Sequence, residues 1–148
     1  MINSEIKATG RLSVIVKDSD GNIKEERNIN NLVVTSGLGF IASRMKDASD
    51  AAMGYMAIGT GTTAAAAGDT GLGSELDRNA LSSTTVTGNQ IEYVATWSAG
   101  DGTGAITEAG LFNDPSAGTM LARTVFAVVN KDVNDSLSIA WTVSLTAS

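Results

Sequence analysis

The stretch Ser136-Leu137-Ser138-Ile139-Ala140-Trp141-Thr142-Val143-Ser144-Leu145 decides the fold class. Every second residue is apolar, and the residues between are Ser, Ala or Thr. A period of two marks a β-strand with one apolar face and one small polar face. The same texture of Ser, Thr, Ala and Val runs split by Gly and Asn turns recurs upstream, so the chain reads as one built to pack and pair.

Working back from that strand, Glu5 to Val16 predicts a strand, Asp18-Ser19-Asp20-Gly21-Asn22 a turn, and Ile23 to Val34 a returning strand. Together they form a β-hairpin. Lys24, Glu25, Glu26 and Arg27 place the second arm in solvent or at a sheet edge, where charge discourages unwanted pairing. The first arm is therefore the more buried. Between Ser36 and Asp47 the period lengthens: Leu38, Ile41, Ala42 and Met45 recur three or four apart, which predicts one short helix with Ser36 as N-cap and Gly39 inside it. Met53 to Ile58 is a short strand ending at Gly59, and Thr60 to Gly73 is a small-residue loop with a helical turn over Ala64 to Ala67. Arg78 to Thr87 and Gln90 to Trp97 read as two strands joined at Gly88-Asn89. A Gly-rich turn over Ala99 to Gly104 leads to strands at Ile106 to Phe112 and Met120 to Val129, and then to the opening stretch.

About eight strands with turn signals every ~8–12 residues predict an all-β fold: an antiparallel β-sandwich or jelly-roll-like domain with one short helix. With 148 residues and no break in composition, residues 1–148 are expected to form a single domain. The charged first hairpin is expected to project as an arm. Residues 1–8 are too polar for a core strand and are expected to form an extended arm ordered by a neighbour.

Composition excludes much chemistry. The chain has no Cys and no His, which removes disulfides, thiolate and imidazole metal sites, a Cys nucleophile and a Ser-His-Asp triad. A formal net charge of −6 with scattered basic residues argues against nucleic acid. No run approaches the ~20 apolar residues of a membrane helix, and the start lacks a signal-peptide core. The expectation is a soluble, unprocessed protein with no membrane partner.

Several motifs have simpler roles than the chemistry they suggest. Asp18, Asp20, Asn22, Glu25 and Glu26 suggest calcium, but Gly21 is fourth rather than sixth from Asp18 and the twelfth position is Ile29, so a turn is expected instead of an EF-hand. Gly59-Thr60-Gly61-Thr62-Thr63 resembles half a phosphate loop, yet no Gly-Lys-Ser/Thr follows. Close approach of two backbones, or a turn at a sheet rim, accounts better for those glycines. Glu75, Asp77, Glu92, Asp101 and Glu108 are the acid–base candidates; Glu75 and Asp77 with Arg78, and Glu108 with Arg123, are expected to be ion pairs that fix loops. Trp97 and Trp141 alternate with small residues and are expected in the core, a carbohydrate platform being the other use of such rings. Met53 and Met56 fill gaps beneath the sheet. No catalytic residue, metal ligand or cofactor is expected.

Met56-Ala57-Ile58-Gly59-Thr60-Gly61-Thr62-Thr63, Gly68-Asp69-Thr70 running to Leu76-Asp77-Arg78, Gly104-Ala105-Ile106-Thr107-Glu108-Ala109-Gly110-Leu111-Phe112, Met120-Leu121-Ala122-Arg123-Thr124-Val125-Phe126 and Trp141-Thr142-Val143 occur in that order. In them the chain resembles a family of small structural proteins from the virions of tailed bacteriophages of aquatic bacteria and cyanobacteria, often labelled tail-fibre-like. The resemblance spans roughly Gly10 to Leu145 and implies a non-enzymatic virion protein. The leading expectation is a capsid decoration, or cement, protein on the outside of the head, bound to the major capsid protein as a homo-oligomer, with a trimer favoured. A tail-fibre, neck or baseplate component is the alternative, and a carbohydrate-binding host-attachment module a third. Expected interaction residues are Ile2, Asn3 and Glu5 in the arm and Lys24, Glu25 and Arg27 in the hairpin.

Overall fold

The computed structural model describes residues 5–46 and 49–147. Among them nine strands and one helix form: β1 (Ile6–Lys17), β2 (Ile23–Val33), α1 (Thr35–Arg44), β3 (Tyr55–Gly59), β4 (Glu75–Ala80), β5 (Ser83–Thr87), β6 (Gln90–Trp97), β7 (Gly104–Phe112), β8 (Met120–Lys131) and β9 (Ser136–Ala147). All pairings are antiparallel, in the order β4-β3-β7-β8-β2-β1-β9-β6-β5. The all-β expectation holds.

The sheet is continuous but narrows sharply at one place. β2 joins β8 only through Leu32 opposite Arg123 and Val33 opposite Ala122. This short junction lets the sheet curl, so that β5-β6-β9-β1-β2 and β4-β3-β7-β8 bury their inner faces in one core. Leu12, Val14 and Val16 of β1, Tyr93, Ala95 and Trp97 of β6, and Leu137, Ile139, Trp141 and Val143 of β9 supply one half. Met56 and Ile58 of β3, Ile106 and Leu111 of β7, and Leu121 and Val129 of β8 supply the other. The alternation in β9 does what its period demands: the four apolar residues are buried, while Ser138, Ala140 and Thr142 lie on the other face. Burial also pushes the Tyr93 hydroxyl up to about 12.

The structure corrects four expectations. The first hairpin is not a projecting arm, because β1 pairs with β9 from Ile6 to Lys17 and sits mid-sheet between β2 and β9. The pattern of Leu12, Val14 and Val16 outweighs the charge on β2, whose outer edge before Leu32 is not paired by a described strand and so accommodates that charge. Arg78 to Thr87 is two strands rather than one. The chain breaks at Leu81-Ser82, where Leu81 N–H donates to Gly54 O and Ser82 N–H to Val94 O, sending β4 and β5 to opposite ends of the sheet. Ser36 is not the N-cap of α1; Val34 holds that position, and Ser36 Oγ donates to Met120 O, anchoring the helix on β8. Gly37 allows that approach, since a Cβ there would stand 2.8 Å from the Leu121 carbonyl carbon. Finally, Ala64 to Ala67 makes no helical turn; the loop instead turns tightly where Asp69 N–H donates to Ala66 O.

Trp97 and Trp141 are both 0% exposed, and neither indole N–H has an acceptor among the described residues, so packing alone holds the rings. Trp141→Ala should cost about 3–5 kcal/mol, measured by urea unfolding. An unchanged midpoint would place the ring outside the core.

Candidate functional site

The long small-residue loop from β3 to β4 is closed by buried charge. Gly59 on β3 lies opposite Glu108 on β7, and Arg123 follows one strand further on β8. Glu108 is fully buried and Arg123 is 2% exposed. An ionised carboxylate without water needs several donors to offset lost hydration. Glu108 has them: its Oε2 accepts from the N–H groups of Gly61 and Ser74, each at 2.7 Å, and its Oε1 from Gly73 N–H at 2.8 Å. Arg123 adds Nε at 3.2 Å and Nη2 at 3.0 Å, both to Oε1.

The guanidinium continues outward. Arg123 Nη1 donates to Asp69 Oδ2 at 2.8 Å and Nη2 to Thr63 O at 3.0 Å, while Asp69 Oδ2 also accepts from Ala66 N–H. Thr107 Oγ1 closes the mouth of the loop by donating to Gly61 O at 2.7 Å. One buried Arg thus lies between two carboxylates, and both carboxylates are capped by backbone N–H groups. Burial pushes the Glu108 carboxyl up, but the donors on Ser74, Gly73, Arg123 and Gly61 outweigh it and leave it below the usual range. Asp69 is also held low, first by Ala66 N–H and then, against burial, by Arg123.

This geometry explains the Gly-Thr-Gly-Thr segment. A Cβ on Gly59 would stand 2.6 Å from Glu108 Oε2, and one on Gly61 would stand 2.8 Å from the carboxyl carbon. The glycines clear space for a carboxylate of the chain itself. They resemble a phosphate cradle because the physical task is the same, with backbone N–H groups converging on an anion.

A second cluster lies where β4 approaches the loop between β6 and β7. Asn79 Nδ2 donates to Thr96 O and to Asp101 Oδ2, both at 2.9 Å. Asp77 is raised, by burial first and then by its hydrogen bond with Asp101, which is itself held low by Asn79 and Asp77. The two carboxyls are thus driven in opposite directions by their surroundings. Lys131, 1% exposed, donates to Ser98 O at 2.9 Å, and burial lowers its pKa against the pull of Asp101, Asp135 and Asp77. Nearby, Arg78 binds Glu75 at 2.6 Å and lies 3.7 Å from the centre of the Phe112 ring.

The sequence-derived candidates are distributed unevenly over this structure. Ile2 and Asn3 lie outside the described residues, and Glu5 is exposed just ahead of β1. Lys24 and Glu25 are engaged within the chain: Lys24 bridges Asp135 at 2.5 Å and Asp132 at 3.0 Å, and Glu25 Oε2 accepts from Asn130 N–H at 2.8 Å. Arg27 pairs with Glu25 at 3.2 Å and donates to Glu26 O. These charges staple the open edge of β2 to the end of β8 and the turn that follows it, so Ile23 to Arg27 is tied to its own sheet. Lys24 is raised by Asp135 and Asp132, and Asp135 is lowered by Lys24.

Asp18 Oδ1 accepts from the N–H groups of Asp20 and Asn22, the turn role expected of it. Of the five acid–base candidates only Asp77 and Asp101 meet, and Trp97 and Trp141 are too deep to offer a sugar a face. Sequence reasoning paired Glu108 with Arg123 but missed Asp69. The available signal was its isolation, as the one charged residue between Asp50 and Glu75. No family model matches the chain, and no curated protein or solved structure matches it.

Glu108→Gln leaves Arg123 buried with half its countercharge and should cost about 3–5 kcal/mol at neutral pH. Because the folded pKa of Glu108 is depressed, its stabilisation is present above the unfolded value and lost as pH falls through the folded one. Unfolding free energies measured from pH 7 down to pH 3 should therefore converge for wild type and variant at the acid end. A gap that stays constant with pH would show that the charge is not what matters.

Proposed function

We propose that this chain is a non-enzymatic bacteriophage virion structural protein, and specifically a capsid decoration protein that binds the outer face of the head and stabilises the shell. The observation that carries the reading is the Glu108–Arg123–Asp69 lock on the loop between β3 and β4. The charged groups with displaced pKa values hold loops to strands, and the longest small-residue loop is fixed rather than left free to close over a substrate. Such a scaffold suits a protein that must keep one shape for long periods outside a cell.

The resemblance to tailed-phage virion proteins supports the same reading, since the lock draws on four of the segments that carry it: Gly61 and Thr63, Asp69, Glu108, and Arg123. A chain without Cys or His adds few oxidation-labile or pH-switching groups beyond its five Met. Partners on this reading are the major capsid protein and further copies of the chain, with no cofactor. A carbohydrate-binding role draws no support from the two tryptophans, which are buried.

Purified heads lacking this protein should bind it on co-sedimentation and release their DNA at a higher temperature once it is bound. Density for the chain on the tail, neck or baseplate of intact particles, with no binding to heads, would replace the decoration role with the tail role.

A further inference from the structure

β5 is a bare edge strand, and its outward edge fits a second copy of this chain. Ser83-Thr84-Thr85-Val86-Thr87 ends the sheet, pairs on one side with β6, and is exposed at all five positions. Natural sheets protect such edges with charge, Pro, bulges or covers. The other open edges here are protected. β4 carries Glu75, Asp77 and Arg78, with Arg78 also bound to the carbonyls of Asp114 and Ala117, and β2 is stapled by Lys24 and Glu25. Among the described residues β5 has no such device. No charged residue stands between Arg78 and Glu92, in a chain of net charge −6.

We infer that β5 pairs antiparallel with β5 of a second copy across a two-fold axis, joining two sheets into one. A residue on the axis faces itself, and the register that pairs all five residues centres on Thr85. Ser83 then meets Thr87 of the second copy, and Thr84 meets Val86. Every cross-strand pair is uncharged and of a type that favours pairing. The nearest fixed charge is Glu92, opposite Thr85 on β6. The two Glu92 residues would stand three strand spacings apart, about 14 Å, beyond the Debye length of about 8 Å at physiological salt. A partner of this same acidic chain therefore meets no repulsion at this edge.

Strand pairing over five residues is too small for a stable interface, which needs roughly 1,200 Å² or more of buried surface. The apolar crevice behind β5 enlarges it. About 180 Å³ in volume, it is lined by Phe40 and Ile41 of α1, by Val86, Ile91 and Tyr93, and by Leu145. Val86, 70% exposed, stands at its rim. The two-fold places each Val86 diagonally beside the other, so the two crevices adjoin and cover one another's openings. Because the contact is isologous it closes at two copies and leaves no further β5 edge. The unit is then a dimer rather than the trimer expected from the sequence.

Light scattering on eluting protein at tens of micromolar should give twice the chain mass, and Thr85→Lys, which sets two ammonium groups face to face on the axis, should give the chain mass with unchanged circular dichroism. Ser19→Lys, in the turn between β1 and β2, should remain dimeric. The absence of native cysteine provides an independent register test. Thr85→Cys should cross-link to itself on mild oxidation, since Cα atoms across an antiparallel pair lie within disulfide reach, whereas Ser83→Cys alone should not and a mixture of Ser83→Cys with Thr87→Cys should. A wild-type monomer or trimer, or a dimer unaffected by Thr85→Lys, would overturn the inference. Head binding can fail with the dimer intact, so this test and that of the decoration role are separable.

Discussion

Glu108 has no contact with solvent, and that constraint organises much of the domain around it. A carboxylate in that position is stable only where donors replace its hydration, and its four partners come from three different stretches: Gly61 at one end of a loop, Gly73 and Ser74 at the other, and Arg123 on β8. Satisfying one side chain therefore fixes where the loop leaves β3, where it enters β4, and how β7 sits against β8. Arg123 would be an equally costly burial alone. Asp69 and Thr63 take its remaining donors, which carries the order to the middle of the loop. Stability and loop shape become one property here.

The same reasoning distinguishes the two polar clusters. Around Glu108 the charges are opposite and the backbone supplies donors, so the arrangement is rigid and ionised. Around Asp77 and Asp101 the charges are alike: burial and then Asp101 raise the Asp77 carboxyl, while Asn79 and Asp77 hold Asp101 low. Lys131 lies in the same region with its charge destabilised by burial. The first cluster closes a loop; the second holds the β6–β7 connection against β4 through Asn79.

Period-two alternation made the strands legible from sequence, and it worked best where one face is fully buried, as in β9 and β1. Ion pairing of Glu108 with Arg123 and of Glu75 with Arg78 was also legible, as was burial of both Trp residues. What failed was long-range. Residues 78 to 87 carry an unbroken strand-like texture, and only the tertiary bonds of Leu81 to Gly54 and of Ser82 to Val94 reveal the break. Lys24 to Arg27 suggested an arm because local charge says nothing about Asp132 and Asp135, more than 100 positions later. Ser36 looked like a cap, but its hydroxyl found Met120.

Edges complete the physical account. A curled sheet that does not close into a barrel keeps two ends, and here the narrow β2–β8 junction adds a third open stretch. Each must be satisfied separately. Lys24 and Glu25 secure the junction from within the chain, and the charges of β4, with Arg78 over Phe112, guard one end. Among the described residues the Ser/Thr strand at the other end has no such guard, and it is the edge that the proposed two-fold pairing would cover. Small side chains suit that task, because they let strands approach to ~4.8 Å without a steric or ionic penalty. The small side chains that pack these strands closely are thus also what suits β5 to the proposed pairing.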